Sequence, residues 1–181
     1  MKLNLGKLAK ALSKKQEGGE SNTQGESKAP VINKTKLAAA MKKSKESDKV
    51  DLKSEEYSIL KSSKITPFEK DGIHFDSVYQ YYQYTRVDFA KDLSEEQKQK
   101  MKARILQETD SGILKSISKE FEVTGWNGQP VEDTLSDGLY AAYSDPRNAE
   151  QRKLLLSTGD LEITGGAKNS INAYTRTREK L

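Results

Sequence analysis

The distribution of aromatic residues decides where this chain can build a core. Of its 13 Phe, Trp and Tyr residues, only Tyr57 precedes residue 65. Large rings supply much of the apolar area of a small core, so the pattern places one folded unit in residues 65–181. That stretch has the length of a small domain. Residues 1–64 are then expected to form a Lys-rich flexible arm with two short amphipathic segments.

Charge divides the chain at the same place. Residues 1–64 carry 15 lysines, no arginine and 8 acids; residues 65–181 carry 16 basic and 19 acidic side chains. The net charge of +4 is therefore the sum of a basic arm and a mildly acidic domain. Such an arm suits an acidic partner, whether protein, nucleic acid or an anionic surface. A solvated tail has the same composition. The absence of cysteine excludes disulfides, thiolate nucleophiles and Cys-based metal sites. His74 is the only histidine, which excludes His dyads and His clusters. No cofactor is implied. No apolar run approaches the ~20 residues that span a bilayer. The opening Met1 to Gly6 lacks the continuous apolar region of a secretion signal.

Within the arm, Leu5, Leu8 and Leu12 fall on one helical face, with Lys7 and Lys10 among the flanking charges. Alone, so short a helix is marginal in water; it is expected to order against a partner, with these five residues making the contact. Residues 16–33 have linker composition. Residues 34–46, centred on Leu37 to Met41, offer a second short helix, and 47–64 are polar again.

From residue 65 the signals are local and dense. Asp71-Gly72 marks a tight turn between two β-prone pieces. Ser77 can cap a helix starting near Val78. Ser94-Glu95-Glu96-Gln97 reads as a capping box opening a helix to about Thr109. Asp110-Ser111-Gly112 interrupts it, and Ile113, Leu114 and Ile117 support another helix. Further helices are expected over 131–143, from Asp145-Pro146 to Leu156, and over 169–181, after Gly165-Gly166. The fold class is α+β, mainly α-helical, with a small β element near 66–76.

The ordered blocks resemble the NADAR family, which includes the YbiA-like N-glycosidases that act on riboflavin-pathway intermediates. The residues concerned are Asp71-Gly72-x-x-Phe75-x-Ser77 with Tyr82-Gln83, the lone Trp126, the run Gly138 to Tyr143, and Leu154-Leu155-Leu156-Ser157-Thr158-Gly159-Asp160. Asn169 and the ending Arg178-Glu179-Lys180-Leu181 also fit. The resemblance covers about 66–181 and implies a NADAR-like domain with family-site positions at Tyr79, Gln80, Tyr82, Trp126, Ala142, Asp160 and Asn169.

It also implies a damaged site. The family's catalytic Glu falls at Tyr79, and its neighbour at Gln80. The family's Lys falls at Ala142. The late loop with Asp and Trp-Gly is missing, since Leu161-Glu162-Ile163-Thr164 runs into Gly165-Gly166. N-glycoside cleavage passes through a cationic sugar, which a nearby carboxylate stabilises, as in O-glycosidases. A Tyr side chain, with its ordinary pKa of ~10, is neutral at working pH and cannot do this.

Other candidates have simpler readings. Tyr79, Tyr81, Tyr82 and Tyr84 can stack bases or fill a core; Tyr82 is expected in the core and at least one of the others in solvent. His74 is expected to face solvent or to serve as a hydrogen-bond partner. Asp160 and Glu162 are expected in capping or ion pairs. Gly165 to Asn169 can cradle a phosphate, though two adjacent glycines alone do not establish it. Two functions remain. One is a non-catalytic structural, assembly or binding module tethered by its basic arm, cytoplasmic or incorporated into a virion or other assembly, on the analogy of phages that recruit enzyme folds for particle building. The other is a divergent N-glycosidase or ADP-ribosyl hydrolase using Asp160, Glu162 or Glu69.

Overall fold

A computed structural model of the protein describes residues 34–44 and 48–181. The described chain is mainly helical with two short strand pairs. In order come α1 (Lys34–Ser44), β1 (Lys49–Asp51), a 3-10 turn (Ser58–Leu60), β2 (Phe68–Lys70) and β3 (Ile73–Phe75). They are followed by α2 (Val78–Arg86), α3 (Glu95–Leu106), α4 (Ser111–Ile117), α5 (Gln129–Ser144), α6 (Ala149–Ser157), β4 (Glu162–Thr164) and α7 (Lys168–Lys180).

The local signals act where the sequence puts them. Asp71 and Gly72 take φ of 53° and 74°, the left-handed pair that closes a two-residue hairpin. β2 and β3 pair antiparallel across it, with Lys70 opposite Ile73 and Phe68 opposite Phe75. Ser77 Oγ accepts the Gln80 N–H at 3.1 Å, capping α2. Ser94 and Gln97 make both bonds of a capping box. Asp110 does more than interrupt the chain. Its carboxylate accepts the N–H groups of Gly112 and Ile113, so it caps α4.

β1 and β4 form a parallel pair, Val50 opposite Ile163. The chain leaves β4 through Gly165 at φ 82°. A Cβ there would lie 1.9 Å from Asp51 Oδ1 and 3.0 Å from the Leu52 and Lys53 nitrogens. Glycine is what lets the strand end pass this close to the β1 turn.

Two apolar clusters hold the molecule. The larger gathers the hairpin, α2, α5, α6 and α7 around Phe68, Phe75, Leu139, Tyr143, Leu154 and Tyr174. The smaller joins Val87, Ile105, Leu114, Ile117 and Phe121 beneath α3 and α4. α5 packs along α7 and crosses α2 at Gly138.

The core does not begin at residue 65. Leu37, Ala40, Val50, Leu52, Tyr57 and Leu60 are all buried in the larger cluster. α1 packs on α6, and Tyr57 Oη donates to the Ala40 carbonyl at 3.3 Å. The core therefore reaches back at least to Leu37, into the segment expected to form the flexible arm. The physical reason is that a few aliphatic side chains and the single ring of Tyr57 complete this side of the core, while the other rings of the cluster come from later in the chain. Leu5, Leu8, Leu12, Lys7 and Lys10 lie outside the described residues.

Candidate functional site

Three of the positions marked by sequence converge on one cleft of about 430 Å³: Tyr79, Tyr82 and Asn169. α2 supplies its main wall. Tyr79, Tyr82, Gln83 and Arg86 follow the i, i+3, i+4, i+7 spacing of a single helical face, and all four line the cleft. Opposite stand Lys115 of α4 and Ser118 at its C-terminal end, Val131 and Leu135 of α5, and Ala167, Asn169 and Ser170 at the start of α7. Ser62 closes one end, where its carbonyl accepts the Tyr79 N–H at 2.8 Å.

The aromatic side is held from behind. The Tyr79 and Tyr82 rings stack at 6.0 Å with 14° between planes. Tyr82 lies 5.2 Å from the Trp126 ring, and Trp126 Nε1 donates to Tyr82 Oη at 3.0 Å. Trp126 rests in turn on Phe89 at 4.7 Å. Tyr82 thus packs against the core, where it was expected, but stays half-buried in the cleft wall. All four tyrosines of α2 are half-buried; the residues this helix buries fully are Val78, Gln80 and Gln83.

The electrostatics are cationic. Arg86 donates to the Ser118 carbonyl, and its guanidinium lies 4.8 Å from the Phe121 ring centre. These contacts fix its fork without neutralising it; among the described residues no carboxylate makes an ion pair with Arg86 or Lys115. None of the described residues lining the cleft is a carboxylate. Burial raises the Tyr79 phenol above its ordinary pKa, partly offset by a hydrogen bond with Gln83. At neutral pH it is an uncharged hydroxyl.

Two backbone and side-chain groups here lack partners in the fold. Gln83 is 3% exposed, yet its Oε1 has no hydrogen-bond donor. A buried acceptor without a donor costs about 1–3 kcal/mol. α7 begins at Ala167, whose side chain cannot cap it, so its first-turn N–H groups have no side-chain acceptor there. A second hollow of about 200 Å³ adjoins, sharing Ser62 and Ser170 and including Lys61, Gly165 and Gly166.

The remaining sequence candidates lie elsewhere. Gln80 is a structural clamp. Its Nε2 reaches the carbonyls of Ile105, Leu106 and Glu108, and its Oε1 accepts the Asp76 N–H at 2.7 Å. This ties the end of α3 to the hairpin. Ala142 is fully buried in the core. Asp160 is exposed on the turn after α6. Glu162 pairs with Lys49 at 3.0 Å, and Glu69 is exposed on the hairpin. Exposed His74 lies 3.5 Å from Asp76. Sequence reasoning missed Gln83, Arg86 and Lys115 as site residues. The helical stripe running from Tyr79 would have found the first two; Lys115 comes from another helix and has no such signal.

Among the described residues, no group of three or more His, Asp or Glu side chains could hold a metal ion. No described helix is long and apolar enough to cross a membrane. Comparison of the chain with protein-family models, with curated proteins and with solved structures finds no match.

Proposed function

We propose that this chain is a non-catalytic, NADAR-like module that serves as a binding or assembly protein, of the kind built into a phage particle, with its basic N-terminal segment as a tether. One observation carries the reading. The cleft that contains Tyr79, the position matching the family's catalytic Glu, is lined by aromatics, amides, hydroxyls and two cations, with no carboxylate among the described lining residues. Cleavage of an N-glycosidic bond builds positive charge on the sugar. Arg86 and Lys115 would oppose that charge at close range, and the neutral Tyr79 phenol cannot balance it. Asp160, Glu162 and Glu69, the carboxylates a divergent hydrolase would need, do not line the cleft. The site is arranged to hold, and what it favours is negative.

The tether half of the reading rests on Leu5, Leu8 and Leu12. Burying three leucines yields roughly 1.5–3 kcal/mol each, and ordering the backbone opposes this by about 1–2 kcal/mol per residue. The segment is therefore a weak anchor that works beside other contacts. Partner association should weaken in a chain lacking residues 1–15 and in a Leu5/Leu8/Leu12→Ser variant, at low and at high salt alike. The lysine contribution alone should fade as the screening length shrinks to ~3 Å at 1 M salt. Association unchanged by removal of residues 1–15 would reduce the segment to a passive tail. The non-catalytic half is read by released base: incubation with ribosylated pyrimidine or ADP-ribosylated substrates should release none above the uncatalysed rate.

A further inference from the structure

The cleft and its adjoining hollow share Ser62 and Ser170, so the two are neighbours, a trough in two parts beside the start of α7. Arg86 and Lys115 stand in the larger part and Lys61 in the smaller. None of the described residues lining either part is a carboxylate. By contrast, the lysines and arginine of α3 are spent on acids: Lys98 on Glu95, Lys100 on Glu96, Lys102 on Asp88 and Arg104 on Glu120. The trough is thus a local cationic seat on a domain whose residues 65–181 carry more acids than bases.

The uncapped first turn of α7 adds N–H groups that suit an anion. Cations from two helices beside a helix start fit an occupant that carries several carboxylates along its length, as an acidic peptide segment does. A single-stranded nucleic acid fits less well. Base stacking needs open ring faces, but Tyr82 is sandwiched between Tyr79 and Trp126. Tyr81 and Tyr84 sit edge-on against Phe75. Three cations on a net-acidic domain also make a poor track for a polyanion.

We propose that the trough seats an acidic peptide segment of a protein partner, with carboxylates on Arg86 and Lys115. The Arg86 fork, fixed by Ser118 and Phe121, is suited to bidentate carboxylate binding. This assignment names the partner chemistry of the binding module proposed above, and rests on that reading.

Trp126 is the only Trp in the chain and touches Tyr82 in the cleft wall, so its fluorescence reports the trough and not the N-terminal lysines. The full chain is titrated with a short peptide of alternating glutamate and glycine, with the glutamine version, and with a short oligothymidylate. A saturable change in Trp126 emission is expected for the glutamate peptide alone. Lys115→Ala and Arg86→Ala should each weaken it about tenfold, the effect of losing one charge-assisted bond. Lys115 is exposed, so its variant should keep the native melting temperature and isolate the charge effect. No saturable change, an equal response to the glutamine peptide, a response only to the oligonucleotide, or binding indifferent to Lys115→Ala would each overturn the assignment. Base release by a chain that still binds the peptide would sink the non-catalytic reading and leave the trough standing. Absence of peptide binding without base release would do the reverse.

Discussion

Tyr143 and Tyr174 show how single side chains couple this fold to pH. Both phenols are buried and both donate to the Leu60 carbonyl. Burial raises both well above the ordinary tyrosine value. An unfolded chain loses phenolic protons near pH ~10, whereas these two keep theirs in the fold. Their stabilising contribution is complete below that pH. It is lost as pH rises from there toward the higher folded values, because the folded state then binds more protons than the unfolded one. Tyr174→Phe should cost about 1 kcal/mol at neutral pH, one hydrogen bond. It should also make the alkaline decline shallower than in wild type. Urea denaturation followed across alkaline pH reads both, and a parallel decline in the two proteins would contradict the assignment. Tyr79, by contrast, matters through what it lacks. Its half-buried phenol carries no charge at neutral pH, and the position stood out in the sequence because it falls two residues after the Ser77 cap.

At the scale of elements, α2 does two jobs with two faces. Val78 and Gln80 are buried in the fold, and the stripe Tyr79, Tyr82, Gln83 and Arg86, in which only Gln83 is buried, builds the cleft. α5 meets it at Gly138, where a Cβ would lie 2.7 Å from Tyr81 Cδ1 and 3.1 Å from Val78 Cγ1. Alanine in a helix normally gains stability over glycine. Here the Tyr81 ring packs against both Phe68 and Phe75 and cannot withdraw freely. Gly138→Ala should therefore destabilise by about 1–3 kcal/mol, the usual cost of overpacking, seen as a lower urea midpoint with unchanged slope. A higher midpoint would show that α2 shifts at little cost. Elements with signals in their own residues were legible: the Asp71-Gly72 hairpin, the Ser77 cap and the Ser94–Gln97 box act within a few positions. The β1–β4 pair was not. Each strand has three residues, too few for a period, and they pair across more than a hundred positions of chain.

For the whole molecule, the position of the boundary changes what the N-terminal region does. Aromatic content places the domain edge near residue 65, yet α1 and β1 finish the core with aliphatic side chains. Composition reports how much a segment can bury; it does not report that a neighbour has left a space for it. Leu37 is 6% exposed against the core, so Leu37→Ala should cost about 2–3 kcal/mol by lost transfer and cavity. It should lower one cooperative thermal transition. A loss within a few tenths of a kcal/mol would mean that α1 docks only loosely. The site was legible in part for a related reason. Tyr79, Tyr82 and Asn169 were marked by resemblance, whereas Lys115 reaches the cleft only through the packing of α4, which no local pattern encodes.

The claim that joins these scales is that an enzyme-like cleft here holds without cleaving. The most direct measurement is base release by the full chain over a range of pH, using ribosylated pyrimidine and ADP-ribosylated substrates, with heat-denatured protein as the baseline and the Tyr79→Glu variant alongside. The account predicts that wild type matches the baseline at every pH, because none of the described residues lining the cleft with Arg86 and Lys115 is a carboxylate that could balance a cationic sugar. Saturable release by the wild-type chain, lost on Asp160→Asn or Glu69→Gln, would contradict it.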